Sequence, residues 1–291
     1  MKTTTRFRQT FLPAGLALFL WAGACASGEA ENLAVQLDGD GRSAEAALEF
    51  RRQALEAGTP SDRGPLFWAS AYEYWKAGQT DLAEKMLDRS EDSLADSFSP
   101  RPLLRGEIAI AEKRYDESAY HWEGLLAAEE PADYERYAAR RLAIVNLRRQ
   151  NPEGALEALR SVPDAAAGAA AIEKYRREKD KSPMLGGLLG IIPGFGYFYS
   201  GEYANGFRSI ILNALFIWGM ASTAEDEQWG FFSVIAFGEI TWYTGSIYGG
   251  VDSAARYNRR RLEDCERDIM GQASFEPDWK ELPLVQLRFK F

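Results

Sequence analysis

Residues 106–131 read GEIAIAEKRYDESAYHWEGLLAAEEP, and this stretch determines the architecture predicted for much of the chain. Apolar residues recur along it at helical spacing. Gly106 and Ser118 are small, and the bulky Trp122 follows Ser118 by one helical turn. Two antiparallel helices approach closely only where the crossing residues are small, and a bulky neighbour then fills the next groove. The stretch therefore predicts a tightly packed pair of helices.

The spacing of a small residue and a bulky apolar residue four places later recurs along residues 43–172. It occurs at Ala46/Phe50, Ala83/Leu87, Ser118/Trp122 and Ala155/Leu159. The region resembles tetratricopeptide repeats, whose period is about 34 residues. The resemblance implies an α-solenoid that presents a concave surface to a peptide or protein partner.

The repeat region also contains many aromatic residues, which have two interpretations. Aromatic residues at helical spacing normally pack into a core, and this interpretation is favoured over the lining of a binding surface. The aromatic residues concerned are Phe67, Trp68, Tyr72, Tyr74, Trp75, Tyr120 and Trp122. The residues predicted to form the repeat packing are Ala83, Leu87, Gly106, Ser118, Trp122, Ala155 and Leu159.

A different kind of sequence begins after a charged linker at 173–182. Ionisable residues become rare, and three apolar blocks follow at 183–200, 205–223 and 229–251. The second and third blocks have the length that a membrane span needs, roughly 17–25 residues. The acidic cluster at 225–227 lies between them, so the pattern predicts a helical hairpin. The complete fold prediction is all-α, with a tetratricopeptide-like α-solenoid followed by a helical-hairpin membrane module.

The turn that precedes the hairpin reads PGFGYFYSGEYANG over residues 193–206. It resembles the PGxGxxYxGxxxxG signature of small bacterial two-helix membrane modules, some of which follow tetratricopeptide-like repeats in exported envelope proteins. The resemblance implies architecture more than activity. Its matching residues are Pro193, Gly194, Gly196, Tyr199, Gly201 and Gly206. On the last apolar block, Gly245, Gly249 and Gly250 are expected to permit close helix packing.

Three polar residues lie within the apolar blocks. A carboxylate at Glu239, near the middle of its block, is costly in a bilayer and is expected to be paired or protonated. Asn213 and Glu239 are about equally far from the 225–227 turn, so an Asn213–Glu239 hydrogen bond is predicted. Arg208 is expected to extend its guanidinium toward the end of its block.

The N-terminus has the layout of a bacterial secretory signal over residues 1–26. Basic residues precede an apolar run at 11–21, and small residues follow it. Two processing events fit these small residues: cleavage after Ala26, or acylation of Cys25 within a lipobox-like segment. An acidic linker at 27–42 then leads to the repeats, and its resemblance to a calcium loop is too incomplete to predict a metal site.

The C-terminal part is predicted as the membrane module at 183–258, then a charged helix and a tail at 259–291. Alternating residues from Val285 predict a short strand, which pairs locally, pairs with the sheet edge of a partner, or acts as a barrel-type terminal signal. The predicted number of membrane spans is two or three, because the interrupted first block either crosses the membrane or lies at its surface.

Composition excludes several function classes. The chain has 291 residues and a net charge of −9, which disfavours nucleic acid as a partner. A single histidine and two cysteines exclude a histidine-rich metal site. Because Cys25 lies at the processing site, Cys265 is expected to be either an unreactive thiol or one half of an intermolecular disulfide. The chain carries no hydrolase, protease or nucleotide-binding motif. No catalytic residue, cofactor, metal or small-molecule substrate is therefore predicted.

These features predict a non-catalytic scaffold or adaptor in the bacterial cell envelope. Its repeat region, in the periplasm, would bind a protein partner close to the lipid bilayer. The alternative is an accessory factor for membrane-protein assembly or transport, acting through the membrane module itself.

Overall fold

The computed structural model describes residues 32–91, 100–128, 131–160, 162–278 and 286–290. The described chain is mostly helical, which confirms the all-α prediction. Its helices are α1 (Leu33–Gly39), α2 (Ser43–Glu56), α3 (Pro60–Lys76), α4 (Thr80–Glu91), α5 (Pro100–Ala111), α6 (Tyr115–Ala127), α7 (Ala132–Arg148), α8 (Pro152–Ala158), α9 (Ala166–Arg177), α10 (Pro183–Leu189), α11 (Phe195–Tyr199), α12 (Tyr203–Glu225) and α13 (Trp229–Met270). Two strands follow, β1 (Ser274–Asp278) and β2 (Gln286–Lys290). The predicted signal segment and Cys25 lie outside the described residues.

The chain divides into two compact units, and α1–α4 form the described part of the first. Helix α2 packs on α3, and α3 packs on α4. Helix α3 begins where Thr59 caps it, accepting a hydrogen bond from the Asp62 backbone N–H at 3.2 Å. Phe50, Trp68 and Leu87 are fully buried. The segment predicted as an acidic linker contains α1, which buries Ala34 and Leu37.

The second unit contains α5–α13 and the two strands. Helices α5–α8 pack in chain order, and α9 packs on both α8 and α13. Its core brings apolar residues of α7, α8 and α9 against Cys265 and Ile269 at the far end of α13. Within each unit, consecutive helices therefore pack on one another, from α1 to α4 in the first unit and from α5 to α9 in the second.

Helix α13 is a continuous helix of 42 residues. Its first part follows the apolar block at 229–251, and its last part packs on α9 and α7. The predicted boundary at 258/259 therefore lies inside one helix. Neither Gly nor Pro occurs between residues 251 and 270, so a change in charge density alone does not end the helix. The helix ends at Gly271, whose φ is +57°.

The C-terminal segment pairs locally. Strand β2 runs antiparallel to β1, with Phe275 opposite Phe289 in the backbone register. The Phe275 ring is buried and meets the Tyr137 ring edge-on, with centroids 5.4 Å apart. The two-strand hairpin therefore packs against α7 of the same unit.

Candidate functional site

Residues 183–258 are named the hairpin module, and they contain exposed apolar helices, a glycine-rich turn, buried polar side chains and a cavity. The large apolar side chains of the hairpin module are exposed along both long helices: Phe207, Ile211, Leu215, Ile217, Trp218, Phe231, Val234, Phe237 and Ile240 are each more than half exposed. Among the described residues, only α12 is long and apolar enough to cross a membrane by length and composition. The block at 229–251 falls short on composition, since it contains Glu239 and several hydroxyl-bearing residues.

The turn at 193–206 folds α10 and α11 back against the long helices. Gly194 precedes α11 with a φ of +88°, a conformation that side-chain-bearing residues rarely adopt. It also packs against the Gly206 carbonyl, and the Phe198 ring covers Gly206. Gly201 has a φ of +79°. Pro193, the first residue of the signature, is half-buried.

A close backbone contact in the hairpin module joins Gly186 of α10 to Gly250 of α13. A Cβ added to either residue would overlap the backbone carbonyl group of the other. A Cβ at Gly196 would lie 2.7 Å from the Gly250 Cα. Three backbones therefore meet at one point, which only residues without side chains permit.

The other two glycines of α13 behave differently from Gly250. The Tyr197 hydroxyl packs against Gly249. Gly245 faces open space, with no atom within 4 Å of an added Cβ. The expectation that Gly245 permits close helix packing is therefore wrong, because this residue faces a cavity rather than a neighbouring helix.

Four buried serines connect the helices of the hairpin module. The Ser253 hydroxyl donates to Ser200 Oγ at 3.0 Å. The Ser209 and Ser246 hydroxyl oxygens lie 3.0 Å apart, joining α12 to α13. No prediction from the sequence concerned these serines. Their signal was the helical spacing of small residues, since Ser246, Gly250 and Ser253 follow one face of α13.

The predicted Asn213–Glu239 hydrogen bond does not form. Both residues are buried, with 2% and 9% of their surfaces exposed. The Asn213 amide instead donates to the Ser209 carbonyl of its own helix at 2.6 Å. Asn213 Oδ1 and Glu239 Oε2 have no hydrogen-bond partner among the described residues. Equal distance from the turn predicted a similar depth, but it did not predict the rotation of the two helices.

The base of the hairpin module carries a cluster of charges around Glu202. Arg256 donates to both carboxylate oxygens of Glu202, at 3.0 and 2.9 Å. An Arg260 guanidinium nitrogen lies 3.6 Å from Glu202 Oε1, and Asn205 Nδ2 donates to Glu202 Oε2 at 2.7 Å. The hydrogen bond from Arg256 lowers the pKa of the Glu202 carboxyl below its usual value, despite partial burial. This end of the hairpin module therefore contains a stably ionised pair.

The charged linker is bound directly to α13. The Lys181 backbone N–H donates to Asn258 Oδ1 at 2.8 Å, and Asn258 Nδ2 donates to the Lys181 carbonyl at 2.9 Å. The Lys181 ammonium lies 4.3 Å from the Tyr257 ring centroid. The signature residue Tyr199 accepts a hydrogen bond from the Ser182 backbone N–H at 3.0 Å. The two ends of the hairpin module therefore lie side by side.

Arg208 lies on the exposed side of α12, where it lines a cavity of about 280 Å³. The cavity is bounded by Tyr197, Asn205, Arg208, Ser209, Thr241, Trp242, Gly245 and Ser246. Within the part of the chain that the structure describes, Arg208 makes no ion pair. The open space at Gly245 forms part of this cavity.

The predicted repeat-packing residues lie inside the helical layers. Ala83 and Leu87 of α4 are fully buried in the first unit. In the second unit, Ser118 Oγ donates to the Gly106 carbonyl at 3.0 Å and the Trp122 indole N–H donates to Ser118 Oγ at 2.9 Å. Ala155 and Leu159 join the core cluster of that unit.

Most of the aromatic residues of the repeat region are in the core. Phe67, Trp68, Tyr72 and Tyr74 of α3 are buried, as is Trp122. Trp75 is half-buried, and Tyr120 of α6 is 74% exposed. Among the described residues, no group of three or more His, Cys, Asp or Glu side chains could hold a metal ion.

Comparisons with protein-family models, curated proteins and solved structures find no match for this chain. The resemblances drawn from the repeat spacing and from the 193–206 turn therefore stay predictions.

Proposed function

We propose that this protein is a non-catalytic scaffold of the bacterial cell envelope, with the hairpin module in the lipid bilayer and the helical repeats binding a protein partner beside it. One observation carries the proposal. Helix α13 extends without a break from the exposed apolar surface of the hairpin module into the core of α7–α9. An anchor built in this way holds the repeat helices of the second unit at a fixed position relative to the membrane.

Exposed apolar surface supports the membrane location. The largest apolar patch on a soluble monomer is usually a few hundred Å². In the hairpin module, more-than-half-exposed Phe, Ile, Leu, Val and Trp side chains run along most of both long helices. At 1.5 Å per residue, the 23 residues of α12 reach about 34 Å, close to the ~30 Å hydrocarbon thickness of a bilayer.

The contacts at the base favour two spans over three. A crossing of the membrane by residues 183–200 would place residue 181 and residue 258 on opposite sides. Lys181 and Asn258 instead exchange two hydrogen bonds. Helices α10 and α11 have 7 and 5 residues, too few to cross a bilayer. The repeats and the arginines at 259–261 then lie on one side, which the N-terminal signal suggests is the periplasm.

A first experiment tests membrane anchoring in the full chain. Membranes from expressing cells are washed with alkaline carbonate, which releases peripheral proteins. The proposal predicts that the protein stays with the membrane after the wash. Release of the full-length protein into the supernatant would reject an embedded hairpin module.

A second experiment tests partner binding by the repeats. A photo-activatable amino acid replaces Tyr120, the exposed aromatic residue of α6, in the full-length protein. The matched control places it at Arg160, whose side chain is also largely exposed. The proposal predicts a discrete cross-linked protein at position 120 and none at position 160, whereas equal patterns would oppose it.

The accessory-factor alternative has one observation in its favour. Glu239 Oε2 and Asn213 Oδ1 are buried without partners among the described residues, and an ionisable residue inside a membrane segment commonly marks a functional site. The full-length variants Glu239→Gln and Tyr120→Ala separate the two functions. Each variant is tested for its ability to restore the phenotype of a deletion strain. Failure of Glu239→Gln to restore it, together with full activity of Tyr120→Ala, would favour the accessory role.

A further inference from the structure

The cavity beside Arg208 has the chemistry of an anion site. Of its eight lining residues only Arg208 is charged, and none is acidic. Its volume of about 280 Å³ is near the lower end of the roughly 300–1,000 Å³ typical of small-molecule sites. This suits a compact group such as a phosphate rather than a large ligand.

The floor of the cavity is a built polar surface. Ser209 and Ser246 are each 4% exposed, and their hydroxyl oxygens lie 3.0 Å apart. A pair of hydroxyls joined by one hydrogen bond uses only one of its two protons. The second proton can therefore be donated to a ligand in the cavity.

The rim of the cavity offers further donors. Within the described residues, the side chains of Arg208, Tyr197 and Trp242 make no hydrogen bond to another group. Trp242 is 39% exposed, and indole N–H groups commonly lie at the level of lipid headgroups. A guanidinium, a phenol and an indole therefore line the same cavity, and each of these groups carries N–H or O–H donors.

Arg208 is not neutralised from within the hairpin module. Glu202, the carboxylate nearest in sequence, already accepts hydrogen bonds from Arg256 and Asn205 and lies 3.6 Å from Arg260. Arg208 is the sixth residue of α12, so its Cα lies about 8 Å along the axis from the first residue of the helix. An arginine side chain at that depth reaches the headgroup region.

We propose that this cavity binds the phosphate group of an anionic phospholipid, held by Arg208 and Tyr197 over the Ser209–Ser246 floor. The inference rests on the proposed function, since it requires the hairpin module to lie in a bilayer. A bound phosphate would supply the counter-charge that the chain does not provide. Arginine binds phosphate through paired N–H donors, which gives such a contact both strength and orientation.

The test uses the full-length protein, reconstituted in bilayers of phosphatidylcholine mixed with phosphatidylglycerol. The phosphatidylglycerol that co-purifies after mild detergent extraction is quantified by mass spectrometry. Loss of one charge-assisted contact predicts about tenfold less retained phosphatidylglycerol for Arg208→Gln. The control Arg259→Gln removes the same charge from an exposed position outside the cavity and should retain wild-type amounts. Equal losses in both variants would overturn the proposal.

A second variant and a second ligand make the result specific. Arg208→Lys keeps the charge but loses the paired N–H donors. This variant should retain an amount of phosphatidylglycerol between those of the wild type and of Arg208→Gln. Inorganic phosphate added in excess distinguishes a free anion from a lipid headgroup. The proposal predicts that it leaves the bound phosphatidylglycerol in place, and displacement by inorganic phosphate would overturn the lipid assignment.

The carbonate wash is repeated on each variant, so that two failures are distinguishable. Wild-type protein that stays in the membrane but shows no preference for phosphatidylglycerol rejects the phosphate site alone. Wild-type protein that leaves the membrane rejects the embedded hairpin module and the lipid site with it.

Discussion

The indole ring of Trp122 lies directly against Gly106, so that a Cβ added to Gly106 would be 2.5 Å from the ring atoms Cε2 and Cζ2. The Trp122 N–H is also bound to Ser118 Oγ, which in turn donates to the Gly106 carbonyl. The ring is therefore held by a hydrogen bond on one side and by a glycine backbone on the other. Neither side can move without breaking a buried contact.

Gly106→Ala should destabilise the α5–α6 pair, because the ring has no room to retreat. Forcing a methyl group into a packed core typically costs about 1–3 kcal/mol. The measurement is hydrogen exchange of peptides from α5 and α6 in the full-length protein, where protection should fall. Gly124→Ala in α6 is the control, since nothing lies within 4 Å of its added Cβ. Equal protection in the two variants would contradict a Trp122 ring packed against the Gly106 backbone.

Gly250→Ala should disrupt the hairpin module. The added methyl group meets the Gly186 carbonyl and the Gly196 Cα, which are backbone atoms and cannot rotate away. We expect faster proteolysis of the detergent-solubilised protein within residues 183–203. Gly245→Ala, on the same helix but facing the cavity, should digest at the wild-type rate. A Gly250→Ala variant as resistant as wild type would show that the helices are not in backbone contact.

Glu73 should make the stability of the first unit depend on pH. Its side chain is fully buried in α3, and burial, aided by the charge of Asp38, raises the pKa of the Glu73 carboxyl to about 7, while Lys76 opposes the shift. The folded protein then binds this proton more tightly than the unfolded chain, whose carboxyl has a pKa near 4.3. Stability contributed by the proton is fully present below pH ~4.3 and is lost as pH rises to about 7.

The size of this effect follows from the shift in pKa. A shift of one unit corresponds to about 1.4 kcal/mol, so the change across this pH range is on the order of 3 kcal/mol. Urea unfolding followed by hydrogen exchange in α2 and α3, at several pH values, measures it. Glu73→Gln should remove most of the dependence, and an unchanged pH profile in that variant would assign the effect to another group.

Residues just before and just after the hairpin module in the sequence should be accessible from the same side of the membrane. Single cysteines are placed at Arg177 and Arg259 in chains whose Cys265 is replaced by alanine. A membrane-impermeant maleimide applied to intact spheroplasts should label both positions, because the Lys181–Asn258 hydrogen bonds place the two ends together. Labelling of only one of the two would restore the three-span topology.

Cys265 should react slowly in the folded protein. The thiol is buried among apolar residues of the second unit, and burial raises the pKa of the Cys265 thiol to about 11. Little thiolate is then present at neutral pH. Alkylation followed by mass spectrometry should proceed much faster in denaturant than in the native state. Rapid native alkylation, or a dimer that dissociates on reduction, would support the intermolecular-disulfide alternative instead.

The sequence predicted the features that depend on local periodicity. Helical type follows from the spacing of apolar residues, and the pairing of Ser118 with Trp122 marked a close helix crossing. The apolar blocks at 205–223 and 229–251 predicted the positions of α12 and of the first part of α13. The glycines of the 193–206 turn also indicated where the backbone needs a left-handed conformation, since Gly194 and Gly201 have positive φ.

Only the tertiary structure decided which surfaces meet. Asn213 turns to its own helix, Gly245 faces a cavity, and Lys181 binds Asn258 across 77 residues of chain. Periodicity defines the face of a helix, but the axial offset and rotation between two helices depend on the packing of all their side chains together. In the hairpin module, the Gly186–Gly250 backbone contact and the Ser209–Ser246 hydrogen bond mark where the helices meet.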